Sequence, residues 1–424
     1  MRLSVWLSAG VVAGSLAGAP VWAQPATSPG GPPAAPPSPA YEPAGSITLR
    51  AAVDAAWQRA VAARESQGQR RRAEADRTAA GSFWAAPPSL ELSHRNDRLQ
   101  SNAGRRETEI GVAVPLWLPG QKAARAGTAD AAATQALAAE QVARLRLAGE
   151  LREAAWQLAA LQAEAAQADM QIQALKQLAD DVERRVVAGD LARADALAAQ
   201  AELLAASALQ SDVRQRLQAA RARWTLLTGL AAAPDMSVEA LEGAPAPAAS
   251  HPELQLANQS TELARKRVEL MRHSRRDAPE LTVGVRQDVP GRAEASQGSL
   301  VVGLRLPFGT DDRNRPLEAA ALSELDVAET HELRLRERLD SDIAAAREAK
   351  RSAKAQLDAE TARARLLRER ASLIDKSLRA GETPLPDLLR ALAAAAQADS
   401  AAARQTAALG LARARLQQNL GILP

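Results

Sequence analysis

The chain has 424 residues, of which 46% are hydrophobic but only 2% aromatic, and its formal net charge is +3. The near balance of 53 basic and 50 acidic side chains gives no support for a basic surface that binds nucleic acid. The lack of cysteine excludes disulfides, thiol catalysis and a lipid-anchored N-terminal cysteine. The length alone favours two domains or two repeats.

The N-terminus has the pattern of an export signal. Residues 1–23 combine Arg2, an apolar stretch over 3–16 and a small-residue cleavage site that ends at Ala23. An uncleaved membrane anchor is the alternative. Residues 24–45, rich in proline and alanine, predict an extended or disordered leader. No later stretch has about 20 consecutive apolar residues, so any membrane-spanning part must consist of strands.

A helix and a β-hairpin follow the leader. The helix is predicted to begin at a Ser46 or Thr48 cap. Apolar residues then alternate with small or polar ones near 88–97 and again near 108–118, with a polar loop between the two segments. This alternation predicts two antiparallel strands with one apolar face.

Two long helices complete this first half, which spans residues 46–229. The first is predicted to begin near Gln121 and to run for about 65 residues, or roughly 100 Å. It breaks near 187–196, and the second helix runs to 229. Apolar positions in the first helix follow steps of four and three, the coiled-coil signature, and many are alanine, which predicts closely approaching helices. These positions are Leu147, Leu151, Ala154, Leu158, Leu161, Ala165, Ala168, Ile172, Leu175, Ala179, Val182 and Val186.

Residues 251–424 repeat the first half, after an inter-repeat linker over 230–250. Adding 192 to the twelve positions gives ten apolar residues in the same register, between Leu339 and Leu378. The second pair of strands is expected near 279–288 and 299–308, and the second helical break near 379–390. The first strands of the two hairpins match at an offset of 191 instead of 192. The chain is therefore a duplication of a helix–hairpin–helix unit.

The four strands fit a membrane. About ten residues is the length of a membrane β-strand, and the alternation places large aliphatic side chains on one face only. Four strands cannot close a barrel, and open sheet edges are not tolerated in lipid, so closure would require other copies of the chain. The alternative is a pair of soluble hairpins packed on helices. Aromatic residues at the junctions of strands and helices suit an interfacial girdle, although they could equally be core: Phe83, Trp84, Trp117 and Phe308.

The sequence predicts neither an enzyme nor a cofactor site. No Ser/His/Asp set, glycine-rich phosphate loop or His/Glu metal cluster lies at a strand-to-helix turn. The four histidines have no metal-ligand spacing, and each is expected at the surface: His94, His251, His273 and His331.

The repeated unit resembles the TolC-like outer-membrane factor family. The resemblance covers about residues 46–424, and the matching segments are VPLWLPGQKAARAG, HPEL, RVVAGDLARADAL, LRAGETPLPDLL, LLTGL and NLGIL. It implies a mostly α-helical fold with membrane strands, in which a homotrimer forms a twelve-stranded β-barrel that an α-helical coiled-coil tunnel continues into the periplasm. The length and the PLWLPG segment look most similar to the CzcC-type members, which serve heavy-metal exporters.

The resemblance also implies a function and partners. Members of this family are passive conduits in the outer membrane, joined through a periplasmic adaptor protein to an inner-membrane pump that is commonly proton-driven. Heavy-metal cations are the expected substrates, with drugs or other small organic molecules as the alternative. A periplasmic adaptor is a competing interpretation, but adaptors usually have one coiled-coil hairpin and more strands than this chain offers. A purely structural periplasmic coiled coil is a further one.

The helical breaks would form the periplasmic tips. In the family, acidic residues near the tips line the closed entrance, and the matching positions here are Asp195 and Asp387, each six residues after a glycine, Gly189 or Gly381. In a threefold assembly each carboxylate becomes a ring that attracts cations. Alternatively, the two aspartates only cap the helices that follow them. Arg390 stands where some members carry a second acidic residue, so salt bridges between or within chains are expected instead of a doubly acidic constriction.

Overall fold

The computed structural model describes residues 47–234, 236, 250–308 and 311–424. The predicted signal peptide, the leader and most of the inter-repeat linker lie outside these ranges. The described part is mostly helical with one β-sheet, which confirms the predicted class. Its elements in chain order are α1 (Leu49–Arg59), α2 (Val61–Ala80), β1 (Ser89–Asn96), β2 (Arg106–Pro115), α3 (Gln121–Ala188), α4 (Arg193–Thr228), α5 (Pro252–His273), β3 (Glu280–Val289), β4 (Gln297–Arg305), α6 (Asp311–Arg379) and α7 (Leu385–Asn419).

The first predicted helix is two helices. Thr48 caps α1, since its Oγ1 accepts a hydrogen bond from the Ala51 N–H at 3.2 Å. The chain then leaves the helical conformation at Ala60 (φ −67°, ψ 138°) and re-enters it as α2. No glycine or proline marks this break. The break accompanies a change of packing partners, because α1 buries its apolar face against α3 and α4 whereas α2 lies mainly along α3.

The long helices form two antiparallel pairs, α3 with α4 and α6 with α7. Helix α3 has 68 residues and α6 has 69, so each extends for about 100 Å. The twelve apolar positions with four–three spacing on α3, together with their equivalents on α6, are called the seam. On α3 nine of the twelve seam positions are buried and the other three are half-buried. The four–three spacing therefore identified the face on which α3 packs.

A core lies where α1 meets the middle of α3 and the end of α4. Its largest member is Trp224, which is 1% exposed and whose indole N–H donates to the Ala232 carbonyl at 3.0 Å. Leu151 and Leu158 of α3 and Ala52 of α1 are also buried here. The beginning of the linker packs on the same core through Leu230 and Ala233.

The chain end is tied to α3 by a buried arginine. Arg152 is 2% exposed, and its guanidinium donates to Gln418 Oε1 at 2.9 Å and to the Ile422 carbonyl at 3.1 Å. Gln418 in turn donates through Nε2 to the Leu145 carbonyl at 2.8 Å. These bonds satisfy a charge that would be costly to bury alone.

One histidine is not at the surface, contrary to the expectation from sequence. His251 is 4% exposed and caps α5, because its Nδ1 accepts a hydrogen bond from the Glu253 N–H at 3.2 Å. Gly421, at φ +72°, lies against the imidazole, and a Cβ added there would come within 2.7 Å of His251 Cδ2. Burial lowers the pKa of His251, and the nearby Glu253 carboxylate opposes this shift only in part.

The four strands form one antiparallel sheet in the order β1-β2-β3-β4. The two hairpins meet along β2 and β3, where Ile110 lies opposite Val285 and Gly111 opposite Gly284. The backbones approach closely at this point, since a Cβ added to Gly284 would lie 2.8 Å from Gly111 Cα. Within the described residues, no helix has the length and apolar character needed to cross a bilayer.

Candidate functional site

The two helical tips share one turn geometry. Gly189 ends α3 in the left-handed conformation (φ +85°), and Gly381 ends α6 in the same way (φ +80°). At the first tip the Gly189 N–H donates to the Val186 carbonyl at 3.1 Å, and Asp190 donates to the Arg185 carbonyl at 2.8 Å. The Gly381 turn repeats both bonds at the positions 192 residues later. This is the Schellman arrangement, which requires a residue without a Cβ penalty at positive φ.

The aspartates that follow the two glycines have different partners. Asp195 accepts a hydrogen bond from the Ala192 N–H at 3.2 Å, so it acts as a cap of α4. The equivalent cap residue before α7 is Pro384, which has no N–H to donate. Asp387 instead accepts from the guanidinium of Arg390 in the same chain. The salt bridge foreseen from the sequence is thus formed within the chain.

The tips pack together as one unit. A cluster of buried apolar residues joins α3 and α4 to α6 and α7, and its innermost members are Val182, Leu385 and Leu388, each at most 1% exposed. Asp195 and Asp387 lie at the margin of this cluster and are half-buried. Any movement of one tip must therefore disturb the apolar packing of the other.

The opposite end of the molecule is the sheet, which has one apolar face. Residues directly opposite one another in the pairing share a face, so the register defines this face completely. Its side chains are unusually exposed for their type: Leu90 is 74% exposed, Leu92 70% and Leu300 71%. Toward the hairpin loops the same face carries His94, Thr108 and Gln287. Its apolar part, nearest the helices, comprises Leu90, Leu92, Ile110, Val112, Val114, Leu281, Val283, Val285, Leu300, Val302 and Leu304.

The other face, here called the mixed face, carries small and charged side chains together with one larger aliphatic residue, Val301. Ala113 on this face is fully buried, as are Gly111 and Gly284. Arg286 pairs across the β2–β3 boundary with Glu109 at 2.8 Å and with Glu107 at 3.0 Å. A continuous apolar face on one side and ion pairs on the other is the arrangement of a sheet between lipid and a water-filled lumen.

Three of the four predicted girdle aromatics gather at one corner of the sheet. The rings of Phe83 and Trp84 are in edge-to-face contact, with centroids 4.5 Å apart. The indole N–H of Trp117 donates to the Ser82 carbonyl at 3.2 Å. Phe83 is 75% exposed, and Phe308, which follows β4, is 89% exposed, so neither is a core residue of the single chain.

The structure places the predicted site residues at two ends, and a buried structural arginine lies between them. The tip residues and the girdle aromatics are separated by the length of the long helices. Arg152, which lies between the two ends, was not found from the sequence, because it resembles the many arginines on the solvated helix faces. Among the described residues, no group of three or more His, Asp or Glu side chains is placed to hold a metal ion.

No protein-family model matches the sequence, and no curated protein matches it significantly. Solved structures do match the fold. The chain is similar to CusC, whose structures address transmembrane channel formation, with a TM-score of 0.74 at 14% identity over 90% of this chain and 95% of that one. It is similar to the outer membrane protein VceC of Vibrio cholerae, with a TM-score of 0.69 at 15% identity over 88% and 96% of the two chains.

A third similar structure is the open state of the outer membrane channel MtrE of Neisseria gonorrhoeae, with a TM-score of 0.69 at 16% identity over 88% of each chain. All three matches cover the repeats, the hairpins and the long helices together, since they span almost the whole described chain. The protein therefore has the fold of outer-membrane channels.

Proposed function

We propose that the protein is the outer-membrane channel of a three-part export system and a member of the TolC-like family. The observation that carries this proposal is the exposed apolar face of a four-stranded sheet, set at one end of helices about 100 Å long. A soluble monomer rarely exposes a continuous apolar patch of this kind. The fold shared with outer-membrane channels supports the same conclusion.

The channel is a homotrimer. Strands β1 and β4 have unpaired outer edges in the single chain, and unpaired backbone groups are not tolerated in lipid. Three copies give a barrel of twelve strands, within the range of known outer-membrane barrels. The mixed face then lines the lumen, and the girdle aromatics lie at the membrane surface on the side of the helices.

The tips form the periplasmic entrance and meet the adaptor. The glycine turns end each helix pair, and threefold symmetry would arrange Asp195 and Asp387 in rings around the axis. The channel is passive and is not an enzyme, so an inner-membrane pump that is driven by protons supplies the energy. Residues 1–23 serve as the export signal, and 46–229 and 251–424 are the two repeats of the channel.

Heavy-metal cations are the proposed cargo, on the basis of the PLWLPG segment and the chain length. Cells that carry this channel with its own pump and adaptor should tolerate zinc, cobalt or cadmium salts better than cells that lack the channel. Increased tolerance to lipophilic drugs, with no change toward the metals, would favour the alternative cargo of small organic molecules.

The first experiment is extraction of the outer-membrane fraction with detergent, followed by a mass measurement of the purified particle. A trimer that forms conducting pores in planar bilayers is the expected result. A monomer or dimer that stays soluble without detergent would overturn the proposal, because four strands per copy could not close in lipid. Such a result would favour a periplasmic adaptor or a structural coiled coil.

A further inference from the structure

The duplication relates strand pairing as well as the order of the elements, because the register of one hairpin predicts the register of the other. Within the first hairpin, Leu92 of β1 lies opposite Ile110 of β2. Offsets of 191 for the first strand and 192 for the second convert these residues to Val283 and Val302, which lie opposite one another in the second hairpin. The two offsets read from the sequence therefore reproduce an observed register.

The same offsets can be applied to the boundary between the hairpins. Across it, Gly111 lies opposite Gly284 and Ala113 opposite Thr282. The equivalent of β2 is β4, and the equivalent of β3 is β1. Since both are edge strands in this chain, the equivalent pairing can form only with a second copy.

We propose that β4 of one copy pairs antiparallel with β1 of the next, with Gly303 opposite Ser93 and Arg305 opposite Glu91 of the neighbouring copy. This inference rests on the proposed function, because it specifies how the channel closes on itself. The contact is head-to-tail, so a ring forms when the rotation between copies closes.

Charge complementarity supports this register. Arg305 lies on the mixed face beside Glu280 of its own chain, with a closest distance of 3.7 Å, and its side chain is 81% exposed. In the proposed register the guanidinium lies between Glu280 and Glu91 of the neighbouring copy. Opposite charges that face one another across strands stabilise a sheet, and this pair forms only when the two copies meet in this register.

The apolar face supports the same register. Leu304 comes opposite Leu92, and Leu306 comes opposite Leu90 of the neighbouring copy. All four side chains are at least 58% exposed in the single chain. A slip by one residue would turn one strand's apolar side chains to the lumen. A slip by two residues keeps the faces but places Arg305 opposite Ser89 or Ser93 and loses the ion pair.

The backbone pattern identifies a pair suited to a chemical test. The Leu116 N–H donates to the Pro279 carbonyl at 2.7 Å, so at the boundary between the hairpins the hydrogen-bonded pairs fall on the apolar face and the closely spaced pairs on the mixed face. The equivalent boundary between β4 and the neighbouring β1 has the same pattern. Gly303 and Ser93 belong to the closely spaced class, in which Cα atoms are about 4.5 Å apart. Disulfides form at Cα separations of about 4.4–6.8 Å, whereas a shift of two residues exceeds that range.

The chain has no cysteine, so disulfide trapping needs no prior removal of thiols. The test variant is Gly303→Cys with Ser93→Cys. The controls, both on the mixed face, are Gly303→Cys with Glu91→Cys and Gly303→Cys with Arg95→Cys, which report registers shifted by two residues either way. A Cβ at position 303 has room, since its nearest neighbour would be Thr282 Cβ at 3.8 Å. Each variant is oxidised in outer membranes and run on a denaturing gel without reductant, beside its single-cysteine parents.

The expected result is a ladder of covalent dimers and trimers from the Gly303–Ser93 variant, formed at least tenfold faster than in either control. A faster ladder from a control would overturn the register but leave the assembly intact. No ladder from any variant, with a trimer found by mass for the cysteine-free parent, would overturn pairing between β4 and β1. A monomeric parent would instead overturn the proposed function itself.

Discussion

The two long helices α3 and α6 carry the same seam but have different surroundings. Nine of twelve seam positions are buried on α3, compared with five on α6, where the other seven are half-buried. Helix α3 packs against α1, α2, α4, α5 and α7, whereas α6 packs mainly against α5 and α7. A repeated sequence pattern has therefore produced one central helix and one peripheral helix.

This difference shows which contacts the seam encodes. The four–three spacing specifies the antiparallel partner, α4 for α3 and α7 for α6, but not the lateral neighbours. Helix α5 lies between α3 and α6, whereas its equivalent in the first repeat, α2, packs mainly against α3. The same equivalence between the repeats leads us to expect α2 of a neighbouring copy against this flank of α6 in the proposed ring. Large apolar side chains remain exposed along α6 in the single chain: Leu317, Leu322, Val327, Leu333, Leu366 and Leu373.

The largest expected effect is at equivalent seam positions. Leu151→Ala should lower the free energy of unfolding by about 2–5 kcal/mol, because its side chain is fully buried against α1 and α4. Ile343→Ala, 192 residues later, should cost clearly less, since Ile343 is half-buried. Denaturant midpoints of the solubilised protein measure both. Leu204→Ala, at a 62% exposed position on α4, is the control and should change stability by less than about 0.5 kcal/mol. Equal losses at positions 151 and 343 would contradict the contrast between the helices.

The next effect concerns the hydrogen bonds that Arg152 donates to Gln418 and Ile422, called the clamp, which have no equivalent in the second repeat. Arg152 is buried on α3, but its equivalent on α6 is Ala344. Arg152→Leu should cost about 1–3 kcal/mol, because the Gln418 and Ile422 oxygens lose a buried donor. Arg146→Leu, at an exposed position on the same helix, should be close to neutral. If the two variants lost the same stability in parallel unfolding curves, the clamp would not stabilise the chain end.

The repeat ends should also differ in their response to pH. Gly229 lies against Arg59, whereas the equivalent Gly421 lies against His251. Because burial lowers the pKa of His251, the unfolded chain binds the proton more readily than the folded one. The free energy of unfolding should therefore fall as the pH drops below about 6.5, the ordinary pKa of a histidine side chain. His251→Asn keeps a capping side chain that does not titrate, so it should reduce this fall. If the free energy of unfolding of the variant had the same pH dependence as that of the parent, His251 would not be its cause.

Much of this architecture follows from local pattern, and the exceptions have physical causes. The seam, the hairpins and the glycine turns at 189 and 381 are set by residues close in sequence, so periodicity and turn chemistry predict them. The break at Ala60 depends on where α1 docks, and no local residue marks it. The burial of Arg152 and His251 likewise depends on the far end of the chain, at Ile422 and Gly421. Contacts between residues so far apart in the sequence leave no trace in local spacing or composition.

The smallest effect on stability is expected at the tips. Its size can distinguish whether Asp195 and Asp387 cap helices or gate the entrance. Asp195→Ala removes the acceptor for the Ala192 N–H and should cost about 0.3–1 kcal/mol. Asp387→Ala should cost less, since its partner Arg390 is 78% exposed and such surface pairs contribute little.

The effects of these aspartate variants on ion conductance in planar bilayers should not rank in the same order as their effects on stability. If the carboxylates form rings at the entrance, each alanine variant should weaken the preference for cations, and the matched asparagine variants should do the same. A role limited to capping predicts that Asp195→Ala lowers stability while neither variant alters ion preference. A change in conductance for Asp387→Ala without a loss of stability would assign that carboxylate to the entrance, because its contact with Arg390 contributes too little to the fold for a structural effect to explain the change.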